Sequence, residues 1–84
     1  MKLTQEEKTI LFHYEKQGFE YIARDEDKTL YFFGGLPSKS QVFNGWAFFG
    51  KCQVIGEEFF PEIKWSDEKP YKINDLLEES EVSE

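Results

Sequence analysis

Phe19-Glu20-Tyr21-Ile22-Ala23-Arg24-Asp25-Glu26-Asp27-Lys28-Thr29-Leu30-Tyr31-Phe32-Phe33 is the stretch on which the fold turns. Its two ends are rich in aromatic and β-branched residues, and the first partly alternates apolar with polar. The four residues between them, Asp25 to Lys28, are a polar turn. The stretch predicts an antiparallel hairpin with a four-residue connection.

Upstream, the pattern changes from strand to helix. Thr4-Gln5-Glu6-Glu7 reads as a capping box, in which Thr4 accepts from the Glu7 N–H and Glu7 reaches back to Thr4. Leu3 precedes the cap as a hydrophobic staple. Ile10, Leu11 and Tyr14 follow at helical spacing, and Gly18 stands where a helix stops. A helix is expected from Gln5 to Gln17. The fold class is α+β: an N-terminal helix packed on a small antiparallel sheet, with Ile10, Leu11, Tyr14, Ile22 and Leu30 inside.

Downstream, Gly34 to Ser40 reads as a loop from its Gly, Pro and Ser content. Val42 to Val54 is strand-like but broken near Asn44-Gly45 and Gly50; one bulged strand and a second hairpin both fit. Phe59 to Trp65 is expected to be a short strand, placed at an edge by Pro61. Ser66 to Pro70 is a turn. Ile73, Leu76 and Leu77 share one face of a short C-terminal helix running to about Glu79. Residues 1–79 therefore make one domain, and 80–84 are expected to be a frayed acidic tail.

With 84 residues, the chain buries only a little over ~60% of its extended surface on folding. Its nine Phe, four Tyr and two Trp supply the large side chains that such a core needs. The single cysteine, Cys52, allows no intrachain disulfide, which fits a reducing compartment. The N-terminal residues carry no apolar signal-peptide core. No apolar run approaches the ~20 residues of a membrane span. The expectation is a soluble, cytoplasmic protein.

The net charge is −7 and is unevenly placed. Up to Gly56, seven acids are balanced by seven bases; after it, ten acids face only Lys64, Lys69 and Lys72. Such a surface repels phosphate and attracts basic proteins, so direct nucleic-acid binding is disfavoured. The candidate partner-binding residues are Glu57, Glu58, Glu62, Asp67, Glu68, Asp75, Glu78 and Glu79. For any one of these, a solvated face that keeps the domain soluble is the plainer reading.

Catalysis has little to stand on. There is one His, one Cys and no GxSxG, HExxH, CxxC or Walker-type motif. Asp25-Glu26-Asp27 lacks the glycine and the final glutamate of an EF-hand loop. The protein is therefore expected not to be an enzyme. His13 and Cys52 are the only strong soft or borderline ligands; completed by acids they could hold zinc, although their spacing matches no zinc finger. Set against that, His13 reads as an exposed helix residue and Cys52 as a small buried hydrophobe. No other cofactor is expected. Most of the rings among Tyr31, Phe32, Phe33, Phe43, Trp46, Phe48 and Phe49 should be core. Those left outside would suit a protein-binding surface.

Two signatures carry a resemblance. One is Tyr21 to Asp27 with Leu30-Tyr31 and Pro37. The other is Phe60-Pro61-Glu62-Ile63-Lys64-Trp65-Ser66-Asp67-Glu68-Lys69-Pro70-Tyr71 followed by Ile73-Asn74-Asp75-Leu76-Leu77. Over Phe19 to Leu77 the chain resembles small proteins from phages and prophages of Gram-positive bacteria. The resemblance brings a context but no catalytic motif. It is similar in size, charge and setting to anti-CRISPR proteins that block Cas9. It implies an inhibitor of a host nucleic-acid enzyme, working through the acidic C-terminal third. The alternative is a structural or regulatory phage accessory protein that binds another phage protein through the aromatic sheet.

Overall fold

Local sequence fixes the first helix at both ends. In the computed structural model, which describes residues 1–82, α1 spans Gln5–Lys16. Both arms of the capping box form: Glu7 N–H donates to Thr4 Oγ1 at 3.1 Å, and Thr4 N–H donates to Glu7 Oε1 at 2.9 Å. At the other end Gln17 is the C-cap and Gly18 takes φ +95°. Gly18 N–H donates to Glu15 O and Phe19 N–H to Tyr14 O, the two bonds of a Schellman motif. The Tyr14 and Phe19 rings meet edge to face at 5.5 Å, which supplies the apolar contact of that motif.

The hairpin expected from the central stretch is present. β1 (Tyr21–Arg24) pairs antiparallel with β2 (Leu30–Phe33), Ile22 opposite Phe32. Asp25 N–H donates to Thr29 O, so the ladder runs one pair further than the turn composition suggests. The loop proper is then Glu26-Asp27-Lys28, with Lys28 at φ 77° in the left-handed position of a three-residue hairpin loop. Asp27 Oδ1 accepts from Thr29 N–H at 2.9 Å and closes it.

Four more strands and a helix follow the hairpin. β3 (Ser38–Ser40) and β4 (Gly45–Ala47) form a separate two-stranded ribbon, while β5 (Cys52–Ile55) pairs with β2 and β6 (Tyr71–Lys72) with β1. The main sheet has the order β5-β2-β1-β6. The break at Gly50 therefore separates two strands of different sheets. Neither a single bulged strand nor one hairpin over Val42 to Val54 is formed. β3 also falls inside the span read as loop, because Ser38-Lys39-Ser40 has weak strand propensity and is extended only by pairing with β4. α2 (Ile73–Val82) runs past Glu79; of the expected tail, residues 80–82 continue this helix and the rest lies outside the described residues.

Strand alternation sorts the side chains into two clusters. Ile22, Leu30 and Phe32 face α1 and α2 and pack with Leu11, Phe19, Phe60, Ile63, Ile73, Leu76 and Leu77. Ile10 and Tyr14 are half-buried at the margin of this core. On the opposite face Ala23 and Phe33 meet Trp46, with Tyr21, Tyr31, Phe48 and Trp65 around them. The ribbon thus covers the far side of the sheet.

Phe59 to Trp65 is not a strand. It is an irregular run of turns across one end of the sheet, with Phe60 at φ 54°. A bulky residue in that region costs about 1–3 kcal/mol and persists only where its surroundings impose it. Leu11 is fully buried under α1, so Leu11→Ala should cost about 2–5 kcal/mol in urea unfolding. A loss below about 0.5 kcal/mol, the usual range of surface changes, would contradict the assigned helix face.

Candidate functional site

The acidic third of the chain is positioned by cations that bind its main chain and not its carboxylates. Arg24 ends β1 on the same face as Ile22 and is buried at 8% exposure. All five of its N–H donors are used. Nε donates to Ile63 O at 2.7 Å. One terminal nitrogen donates to Lys28 O and Glu57 O at 2.8 and 3.1 Å, and the other to Phe59 O and Phe60 O at 2.7 and 3.1 Å. A single guanidinium therefore ties the hairpin turn to four carbonyls of the Glu57–Ile63 segment. This explains the missing strand: carbonyls turned inward to Arg24 are not available to a sheet neighbour.

Glu7 completes the anchor. Its Oε1 closes the helix cap, while Oε2 accepts from Phe60 N–H at 2.6 Å. Phe60 thus donates to α1 and accepts from β1, with its ring 1% exposed in the core. These restraints hold its backbone in the left-handed region. Burial lowers the Arg24 guanidinium below the usual arginine value, opposed by the nearby charge of Glu57.

Lys39 does for the second half of the segment what Arg24 does for the first. Its Nζ donates to Trp65 O and Asp67 O at 2.5 and 2.8 Å. It also lies 4.2 Å from the Trp65 ring centroid and 5.6 Å from that of Trp46, which meet edge to face at 6.4 Å. Asp67 Oδ2 accepts from Lys64 N–H at 2.9 Å and closes the intervening turn.

The carboxylates are consequently left outside. Glu57, Glu58, Glu62, Glu68, Asp75, Glu78 and Glu79 are exposed, and Asp67 is half-buried. Among the described residues the one ion pair is between the Met1 amino group and Glu79, at 3.0 Å. Glu62 accepts a long bond, 3.3 Å, from Lys2 N–H. Three of the acids converge on Tyr71: burial raises its phenol above the usual value, and the charge of Asp67 with its hydrogen bond, then Glu62 and Glu79, raise it further. Glu57 instead lies by Arg24, and Asp75 with Tyr21, Leu36 and Lys69 lines a separate shallow cleft on the other side of β6. The eight residues therefore do not form a single cluster.

His13 lies exposed in the last turn of α1, its Nε2 within 2.7 Å of Gln17 Nε2. Cys52 is an exposed thiol at the start of β5, not the buried small hydrophobe expected. No group of three or more His, Cys, Asp and Glu side chains suited to a metal ion occurs among the described residues, and zinc takes four ligands. The geometry gives the His13–Cys52 zinc reading no support. No helix among the described residues is long and apolar enough to cross a membrane.

Arg24 and Lys39 are the positioning residues that sequence reasoning missed. A signal existed for Arg24, since alternation places it on the same inward face as Ile22. Lys39, in a Ser-Lys-Ser run, gave none. Protein-family models, curated proteins and solved structures yield no match to this chain.

Two outcomes follow from this geometry. Lysine carries three donors where arginine carries five, so Arg24→Lys leaves at least two carbonyls without theirs. It should cost about 2–4 kcal/mol in denaturant unfolding, and a loss under about 0.5 kcal/mol would show the anchor to be dispensable. Asp25 Oδ1 accepts from Trp46 N–H at 2.9 Å, yet desolvation raises its carboxyl above the usual value, as does Asp27 more weakly, against the lowering by that bond. A raised carboxyl binds its proton more tightly when folded, so its stabilisation is full at low pH and is lost as pH rises from about 3.9 through the folded value. Asp25→Asn keeps the acceptor and removes this slope. The variant's melting temperature should therefore gain on wild type between acid and neutral pH, and a difference that does not change with pH would contradict the assignment.

Proposed function

We propose that the protein is a non-enzymatic binding module whose acidic end engages a basic protein surface that normally handles nucleic acid. The supporting observation is the division of labour among charges. Two cations from earlier in the chain, Arg24 and Lys39, are committed to the segment's carbonyls, and seven of the eight candidate acids have no cation within ion-pair distance among the described residues. A rigid main chain presenting unpaired carboxylates is what a phosphate mimic requires, because preorganisation lowers the entropic cost of binding. Together with the phage resemblance, this reading takes its most specific form as a phage-encoded anti-CRISPR protein that blocks Cas9. The accessory-protein alternative draws on Phe43 and Phe49, which are 59% and 103% exposed on the ribbon side.

The test reverses acids that do not support the fold. Glu57 and Asp67 stay, since one lies by Arg24 and the other closes the Lys64 turn. Glu58, Glu68 and Glu78 are changed to Lys. Wild-type protein in excess should inhibit guide-directed DNA cleavage by Cas9 at low salt, with inhibition fading as salt rises. The reversed variant should melt near wild type and not inhibit. Cleavage unaffected by wild type overturns the Cas9 reading, and equal inhibition by the variant overturns the acidic mechanism.

A further inference from the structure

The two edges of the main sheet are treated differently. β6 is two residues long and runs straight into α2, with Ile73 N–H donating to Glu20 O, so that edge is blunted. β5 has no such protection. Among the described residues it has no neighbour beyond β2, and Cys52, Gln53 and Val54 are exposed. It contains neither proline nor charge, and between Ser40 and Gly56 the one charged residue is Lys51.

The backbone groups that β5 leaves open can be named. Gly34 N–H donates to Lys51 O at 2.8 Å, which makes Gly34–Lys51 a hydrogen-bonded pair. Bonded and non-bonded pairs alternate in an antiparallel ladder, so Gln53 opposite Phe32 and Ile55 opposite Leu30 also bond to β2. The N–H and C=O groups of Cys52 and Val54 then point away from the sheet. Neither N–H has a partner among the described residues; the Val54 carbonyl accepts only from the adjacent Gln53 amide, at 3.0 Å.

We propose that β5 is a dimer edge, on which a second copy of this chain pairs antiparallel through its own β5. The open groups are self-complementary about Gln53. Placing Cys52 opposite Val54 of the other copy, and Val54 opposite its Cys52, satisfies both sets of outward groups with one twofold axis. Gln53 then faces its own copy in a non-bonded pair, where the two side-chain amides can bond each other. Val54, 52% exposed, extends the apolar face formed by Tyr31 and Phe33 across the axis. Charge agrees with this register. Two chains of net charge −7 meet along a nearly uncharged strand, and Lys51 of one comes within two residues of the position opposite Glu57 of the other.

The register makes a sharp test. A non-bonded pair brings its Cα atoms to about 4.5 Å, inside the disulfide range of about 4.4–6.8 Å. With Cys52→Ser as background, Gln53→Cys should therefore form a covalent dimer under mild oxidant, much faster than Val42→Cys, at a 95% exposed position of the ribbon turn. Equal rates would overturn the proposal. In sedimentation across the micromolar to millimolar range, wild type should dimerise. Val54→Pro, which removes one outward N–H and no bond to β2, should associate at least about tenfold more weakly with unchanged circular dichroism. A wild type that stays monomeric, including one whose edge is instead filled by a strand of another protein, would overturn the second-copy assignment.

Discussion

The Arg24 guanidinium is the point through which the two halves of this domain are joined. The hairpin and α1 could form from local signals alone. The segment after Gly56 could not, since it has no strand partner until Tyr71 and no helical period until Ile73. It gains a fixed course because a cation at the end of β1 supplies five donors to carbonyls that would otherwise be lost from water without replacement. Glu7, from α1, does the complementary work by accepting from Phe60 N–H. One buried cation and one buried anion, from different elements, thus hold the same irregular turn without pairing with each other.

This arrangement has an electrostatic consequence. A buried arginine usually meets a carboxylate, and the pair presents little net charge to solvent. Here Arg24 and Lys39 are coordinated by main-chain oxygens, so the acids of the same segment keep their charge outward. The negative surface and the loop's rigidity have a common origin in where those two cations point. The aromatic layer on the ribbon side is a separate matter, organised by Trp46, whose backbone N–H reaches Asp25 Oδ1 and whose indole N–H donates to Arg24 O. Arg24 therefore holds the acidic segment with its side chain and the ribbon with its backbone.

What was legible in the sequence is what local rules determine. The capping box, the Gly18 stop, the 3.6-residue spacing of Leu11 and Tyr14, and the hairpin about Asp25–Lys28 all depend on neighbours within a few positions. The errors lie where a distant group decides. Phe59–Trp65 has strand composition, but three of its carbonyls are claimed by a residue 35 to 39 positions away in sequence. Ser38–Ser40 has the composition of a loop and is made extended by Gly45–Ala47. At the site, the acids were visible as a charge excess, whereas the commitment of Arg24 and Lys39 to carbonyls was not, since no spacing rule reveals their targets.

Because the account rests on Arg24 using every donor it has, hydrogen exchange of its guanidinium protons, followed by NMR, tests it most directly. The account predicts separate, slowly exchanging Nε and Nη proton signals, protected to a degree comparable with the β1 amides. A guanidinium that exchanges as fast as a solvated arginine, in protein that is otherwise folded, would contradict it.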